Sequence, residues 1–311
     1  MPRTQPISPR FRRIYEHLSG AELAVSEEQD LSLEDLGLDA DQDARVDLVF
    51  GTYSHQGLRK ALDAYGLLQR VEERVGEPLE MRIQCEDPFR PRFVLWNRCL
   101  HAPVADVALR RASGAEVGLT GELATAPLLY LDSLLLQDPG RPFDWSRPPL
   151  PGQQHPGLNI AGQVLDLLLL MARRIGAEGM ALVPATFAAA CVYERRFLFV
   201  DGDAQARFLS LREAGRQYPR WLLAWAVELG CFRDTEGQPA LYLPTPMLSP
   251  LSRRLAQHLD SALGDEAPRA LLLDEERLQQ RFPWHLMPLG PPPERVAELL
   301  AYDPLAPVMA H

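Results

Sequence analysis

The sequence predicts a mixed α/β fold, with a region of helices appended at its C-terminal end. Between residues 45 and 210, short strand-like runs alternate with longer runs that have the apolar spacing of helices. After residue 210 only helix patterns follow, and proline-rich turns separate them. Alternating strands and helices are typical of a mixed sheet flanked by helices. We therefore expect an N-terminal arm with a short helix over 1–44, an α/β domain over 45–210 and a helical extension over 211–311.

The first half of the expected domain contains one amphipathic helix and four strand-like runs. The helix is expected over 57–75, because apolar residues from Leu58 to Val71 recur at helical spacing and share one face. Gly76 follows them and is expected to end the helix. The four strands are expected over 46–53, 79–85, 92–97 and 104–111.

The second half alternates more regularly between strand and helix. A strongly apolar strand over 127–137 is broken by Asp138-Pro139-Gly140, and a proline-rich loop follows. The next elements are expected to be a helix over 159–175, a strand over 179–184, a helix over 187–196 and a strand over 198–201. In the C-terminal extension, helices are expected over 220–229, 251–263, 274–282 and 294–301.

Composition and charge exclude several functional classes. The chain has 311 residues, of which 46% are hydrophobic, so it can bury a sizeable core. Acidic residues outnumber basic ones by 42 to 32, and the resulting net charge of −10 disfavours nucleic acid as a partner. The longest apolar run, 160–171, is too short to cross a bilayer and contains Asp166. Lys60 is the only lysine, and this arginine bias, with 28 prolines and much alanine and leucine, suggests a G+C-rich genome. We expect a cytoplasmic, bacterial protein.

The sequence shows no motif for a metal site, for a serine nucleophile or for a phosphate-binding loop. The four cysteines are scattered, and no two lie at the spacing of metal ligands. The histidines show no paired spacing either, so we expect no metal site. The sequence contains neither a nucleophile elbow nor a phosphate-binding loop with a lysine.

The most informative passage begins with GLNIAG, residues 157–162, at the expected start of a helix. The first turn of a helix leaves backbone N–H groups unpaired, and small residues let an anion approach them closely. Asn159 adds to this, because asparagine readily accepts left-handed backbone geometry. The following helix carries AAACVYERRF, residues 188–197, in which a tyrosine stands four residues after an alanine.

Together these two motifs resemble the cofactor-binding core of the GNAT superfamily of N-acetyltransferases, of which the chain is identified as a divergent member. The resemblance implies that acetyl-CoA, or another acyl-CoA, binds with its pyrophosphate on the loop amides. It also implies that the pantetheine arm pairs with the free edge of the 131–136 strand, where that strand splays from the 180–184 strand. The cofactor-binding residues expected from it are Leu134, Leu135, Leu136, Gly157, Leu158, Asn159, Ile160, Ala161 and Gly162.

Two catalytic residues follow from the same resemblance. Tyr193 takes the position of the tyrosine that protonates the departing thiolate, a role suited to a phenol with a pKa near ~10. Asp132 is the carboxylate available as a general base for the amine, and Glu122 lies just upstream. Two structural readings stay open: Tyr193 packed in a helix groove, and Asp132 as a solvent-facing residue of an alternating strand.

The chain departs from the family pattern at three places. Pro156 stands where the family has glutamine or arginine, Phe197 stands where it has glycine, and an insertion over 140–154 separates strand from loop. The expected function is acyl-CoA-dependent transfer of an acyl group to a small-molecule or peptide amine, in a protein that could form a homodimer. The alternatives are a catalytically degenerate module that senses a ligand or binds a partner, and a scaffold whose C-terminal helices bind partners.

Overall fold

A seven-stranded sheet forms the centre of the molecule, in a computed structural model that describes residues 6–24, 48–76, 79–263 and 268–288. Its strand order is β1-β2-β3-β4-β5-β8-β6, and a separate two-stranded sheet pairs β7 with β9. The strands are β1 Leu79–Gln84, β2 Arg92–Asn97, β3 Ala102–Ser113, β4 Pro127–Leu136, β5 Gly179–Leu182, β6 Leu198–Phe199, β7 Phe232–Arg233, β8 Met247–Pro250 and β9 Leu272–Leu273.

Ten α-helices surround these strands in the part of the chain that the structure describes. They are α1 Pro9–His17, α2 Gly20–Ala24, α3 His55–Ala64, α4 Leu67–Val75, α5 Ala161–Arg174, α6 Phe187–Tyr193, α7 Gly202–Ala214, α8 Arg220–Glu228, α9 Arg253–Ala262 and α10 Glu275–Arg281. The expected mixed α/β fold class is therefore confirmed.

The central sheet is mostly antiparallel. The first four strands pair antiparallel in chain order, and β8 pairs antiparallel with both of its neighbours. Within the described sheet, β4 and β5 are the one parallel pair. A parallel pair needs a crossover between its strands, and α5 lies in the connection from β4 to β5.

Alternating residues of β4 divide the core between the two faces of the sheet. Leu129 and Leu131 pack in one cluster with residues of α3, α5 and α6. Leu128 packs in a second cluster on the other face, against Leu255 and Leu259 of α9. Because successive side chains of a strand point to opposite faces, this central strand is covered on both sides.

Two expectations for the first half of the domain are wrong. The expected strand over 46–53 is a tight turn in its described part, where Val49 and Tyr53 form an isolated bridge around Phe50 and Gly51, both with positive φ. The expected single helix over 57–75 is two helices, because Gly66 adopts a left-handed φ of 69° between them. Glycine has no Cβ and takes this conformation at little cost.

The C-terminal extension is more than a set of helices. β8 lies inside the central sheet, between β5 and β6, so residues 247–250 belong to the sheet of the expected 45–210 domain. Helix α7 crosses the expected boundary at 210/211. Most of the expected N-terminal arm and the expected helix over 294–301 lie outside the described residues.

Candidate functional site

β4 and β5 diverge at the centre of the sheet. Their parallel pairing joins Leu128 through Leu131 to Gly179 through Leu182 and ends there. β4 continues to Leu136, paired on its other side with β3. A stretch of β4 therefore presents one backbone edge to a gap that β5 does not fill.

A β-bulge lies where the two strands diverge. Leu131 pairs with Leu109 of β3 and Ser133 pairs with Ala108, so Asp132 is an extra residue that faces no partner in the register. Asp132 and Ser133 are both exposed, as is Leu135, whereas Leu131 is buried. Bulges of this kind redirect the side chains beside them and are frequent next to active sites.

The loop that follows β4 closes the far end of the gap. The Leu158 N–H donates to the Leu136 carbonyl at 3.4 Å, and the Asp138 N–H donates to the Pro156 carbonyl at 2.8 Å. The Leu136 carbonyl therefore already accepts one hydrogen bond from the loop, and the pairing of the Leu136 backbone with a cofactor stays a prediction. The Leu134 backbone points to the same side as that of Leu136, two residues away, and its edge stays open.

The turn into α5 exposes a row of backbone amides. Leu158 and Ile160 are 1% and 3% exposed and anchor the turn in a cluster with Val71 and Val104. Asn159 between them is exposed and has a left-handed φ of 56°. The side chains of Leu158 and Ile160 therefore point into the core, and that of Asn159 points to solvent.

No acceptor among the described residues bonds the amide N–H groups of Asn159, Ile160, Ala161 and Gly162. The next two amides, of Gln163 and Val164, donate to the Ile160 carbonyl. A Cβ added to Gly162 would meet no atom within 4 Å, so the space in front of this turn is open. Free amides at a helix N-terminus, with nothing blocking them, attract an anion.

Asp132 is held by an arginine that the sequence did not single out. Arg110 Nε donates to Asp132 Oδ1 at 3.1 Å, and Arg110 Nη1 donates to Glu116 Oε2 at 2.5 Å. The guanidinium also lies 4.1 Å from the centroid of the Tyr130 ring. Finding this pair requires the register of β3 against β4, which no local pattern in the sequence gives. Glu122, the alternative carboxylate, is exposed in a 3-10 turn.

Tyr193 lies at the C-terminal end of α6 and is partly buried. Its ring packs edge-on against Phe197, with the ring centroids 6.0 Å apart. Burial raises the pKa of the Tyr193 hydroxyl to about 12, so the phenol is protonated at neutral pH. Among the described residues, neither a hydrogen bond nor a ring contact joins Tyr193 to Asp132 or to the loop over 157–162.

A buried ion pair connects the helix of the amide turn to the helix of the tyrosine. Arg196, three residues after Tyr193, donates through Nε to Asp166 Oδ1 on α5 at 2.8 Å. The Asp166 side chain is 5% exposed and its Oδ2 also accepts the Ser8 N–H. This pair fixes α6 against the second turn of α5.

The insertion over 140–154 packs against α8. Trp225 Nε1 donates to the Pro149 carbonyl at 2.8 Å, and the Trp145 and Trp221 rings meet edge-on at 6.0 Å. These contacts hold the middle of the insertion, residues 145–149, on a helix of the C-terminal region.

Neither a metal cluster nor a membrane helix occurs in the part of the chain that the structure describes. Groups of three or more histidine, cysteine or acidic side chains suited to a metal ion are absent there. Every helix there is too short or too polar to cross a membrane. Comparison of the sequence with protein-family models gives no match, and comparison with curated proteins gives none either.

Proposed function

We propose that this protein is an acyl-CoA-dependent N-acyltransferase of the GNAT type, which transfers an acyl group, acetyl in the simplest case, directly to an amine. The observation that carries the proposal is the open β4 edge followed by a turn with four amides that no described residue bonds. These are the two backbone features that an acyl-CoA needs, one for the pantetheine amides and one for the pyrophosphate.

The departures from the family motif do not block this site. Pro156 precedes the four free amides, and its carbonyl accepts the Asp138 N–H at the end of the gap, so it does not occupy the amide turn. Phe197 is 1% exposed and supports the Tyr193 ring from inside the core. Asn159 adopts the left-handed backbone conformation that a glycine would otherwise provide at this position.

In this proposal Asp132 acts as the general base and Tyr193 acts as the general acid. Asp132 takes a proton from the amine, which attacks the thioester carbonyl as its nitrogen lone pair becomes available. The C–N bond forms, the C–S bond breaks, and the Tyr193 hydroxyl supplies a proton to the sulfur. The second proton that the nitrogen loses as it becomes an amide passes through solvent and restores the Tyr193 hydroxyl. Burial raises the pKa of Tyr193 to about 12, which keeps the hydroxyl protonated before transfer and makes it a weaker acid than an exposed phenol.

A second candidate is an acyl-CoA-binding module without transferase activity. The observation that favours it is the Arg110–Asp132 ion pair, because one oxygen of the carboxylate is already bonded to a guanidinium and only the other is left to accept a proton. The two candidates share the cofactor site and differ in turnover.

Calorimetric titration with acetyl-CoA tests the cofactor site. We expect wild-type protein to bind, and Asn159→Asp to weaken binding at least about tenfold, because it places a negative charge beside the amides that hold the pyrophosphate. Gln154→Glu is the matched control, since it makes the same chemical change at an exposed position of the same loop. Equal weakening by both substitutions, or no binding by folded wild type, would contradict the proposal.

Tyr193→Phe separates the two candidates. We expect it to bind acetyl-CoA as tightly as wild type, while thiol release with an amine panel falls about a hundredfold. Acetyl-CoA binding without thiol release from wild type, across the whole panel, would favour the binding module.

A further inference from the structure

An apolar cavity of about 110 Å³ lies between the central sheet and the helices α3, α4 and α5. Its walls include Leu58 of α3, Val71 of α4, Leu95 of β2, Val107 of β3 and Leu168 of α5. Protein interiors are close-packed and rarely leave voids larger than a water molecule. Water gains little from an apolar cavity of this kind, so its size and lining suit an apolar group.

One charged side chain, Arg174 of α5, lines this cavity. Its Nη2 donates to the Tyr15 carbonyl at 2.7 Å, and its guanidinium carbon lies 4.4 Å from the centroid of the Tyr15 ring. No carboxylate pairs with Arg174 in the part of the chain that the structure describes. A guanidinium carries five N–H donors in a planar fork, so most of its capacity to bind an anion is unused.

Two tyrosines line the same cavity and also have unused donors. Tyr53 and Tyr65 are 5% and 4% exposed, and their hydroxyls have no hydrogen-bond partner within the described residues. Burial raises the pKa of Tyr65 to about 12 and raises that of Tyr53 as well, so both phenols stay neutral O–H donors. Arg174 interacts electrostatically with both. Neither hydroxyl oxygen is among the fully buried side-chain atoms that lack a partner, so both have accessible surface, and an acceptor inside the cavity can bond them.

We propose that the cavity binds a small carboxylic acid with an unbranched apolar tail, its carboxylate on Arg174 and the tyrosine hydroxyls and its tail among the aliphatic walls. A cavity of ~150 Å³ holds benzene, so the volume here suits a tail of about four carbons, as in pentanoate. A cation would be repelled by Arg174, and an alcohol would leave the guanidinium without an anion. Leu136 and Ile160 line this cavity from the side of the β4 edge and the amide turn, but the proposal uses none of the free amides and does not rest on the proposed transferase.

Ligand-observed NMR and calorimetry with pentanoate, pentan-1-ol and pentylammonium test this site on the full chain. We expect millimolar binding of pentanoate, binding of the alcohol weaker by about tenfold, and no binding of the cation. Arg174→Gln should weaken pentanoate binding by about tenfold to a hundredfold, because it removes the charged donor. Arg173→Gln, a change at the exposed neighbour on the same helix, is the matched control.

A cavity-filling substitution locates the tail. Ala61 lines the cavity, and Ala61→Leu adds three carbons to its wall, so it should abolish pentanoate binding. If either variant does not fold, contacts between the pentanoate methyl group and the side chains of Leu95, Val107 and Leu168 in wild type, measured as intermolecular Overhauser effects, carry the test. The proposal is overturned if wild type does not distinguish pentanoate from pentylammonium, or if folded Arg174→Gln and Ala61→Leu bind pentanoate as wild type does.

Discussion

Asp132 illustrates how one extra residue in a strand decides what a side chain can do. Without the bulge, successive side chains of β4 would continue to alternate between the two faces of the sheet after Leu131, and Asp132 would have a partner residue on β3. With it, Asp132 and Ser133 are both exposed beside the gap where β5 ends. Arg110 then holds the carboxylate from the neighbouring strand.

If Asp132 is the base of the proposed transferase, Asp132→Asn should lower the rate of acyl transfer by about 10²- to 10⁴-fold. The free energy of unfolding should change by less than about 1 kcal/mol, because the Asp132 side chain is 42% exposed and exposed ion pairs contribute little. The rate is measured as thiol release from acetyl-CoA with an amine acceptor found by screening.

Glu116→Gln is the control for that substitution. It removes the other carboxylate that holds Arg110 and leaves Asp132 in place, so the rate should stay within about threefold of wild type. Equal loss of rate in the two variants would mean that Arg110 is the group that matters and that Asp132 only positions it.

Local chemistry explains why the amide turn was predictable from sequence and the arginine was not. The positive φ of Asn159 and the start of α5 follow from residues that are neighbours in the chain. Arg110 and Asp132 are 22 residues apart and meet through strand register. The occupied carbonyl of Leu136 was missed for the same reason, since it depends on how the loop returns to β4.

At the scale of elements, the buried pair of Asp166 and Arg196 determines how α6 sits against α5. Arg196→Met should lower the free energy of unfolding by about 3 kcal/mol, because it leaves the Asp166 carboxylate buried without its cation. Urea unfolding followed by circular dichroism measures the change. The matched control is Arg216→Met, whose pair with Glu213 is exposed on both sides and should leave stability unchanged. A loss no larger than that of the control would show that solvent satisfies Asp166 in place of Arg196.

The elements that sequence predicted well are those whose pattern is long or strongly periodic. β2 spans 92–97 as expected, and α5 lies within the expected 159–175. β8 has four residues, too few for a pattern in the sequence to indicate a strand. It is a strand because it pairs with β5 and β6, which come more than forty residues earlier in the chain. The break at Gly66 was missed because the apolar spacing of α3 continues into α4.

At the scale of the whole molecule, the fold class could be predicted but the cavity could not. The alternation of elements along the chain is enough to predict a sheet flanked by helices. Residues of the helices α1 to α5 and of the four strands β1 to β4 line the cavity, so it depends on how these elements pack together, which sequence patterns do not give. Arg174 shows the same limit, because in sequence it is simply a basic residue in the last turn of a helix.

Burial of tyrosines throughout the core gives the molecule a defined response to alkaline pH. Burial raises the pKa of Tyr65 to about 12, and it raises the pKa of Tyr53, well above the value near ~10 that both have in the unfolded chain. Below pH ~10 both states keep these protons, so the contribution to stability is fully present. As the pH rises from about 10 towards 12 the unfolded chain releases protons that the folded protein retains, and stability falls.

We therefore expect the free energy of unfolding to fall by up to about 2.7 kcal/mol per pH unit between pH ~10 and ~12 from these two residues. Tyr65→Phe should reduce the measured slope by up to about 1.4 kcal/mol per pH unit, the share of one group, and urea unfolding at pH 9, 10 and 11 measures it. General charge repulsion in a chain with a net charge of −10 acts on both proteins alike, so the difference between their slopes isolates Tyr65. Equal slopes for the variant and the wild type would mean that Tyr65 ionises in the folded protein as it does in the unfolded chain, which would require water around its hydroxyl.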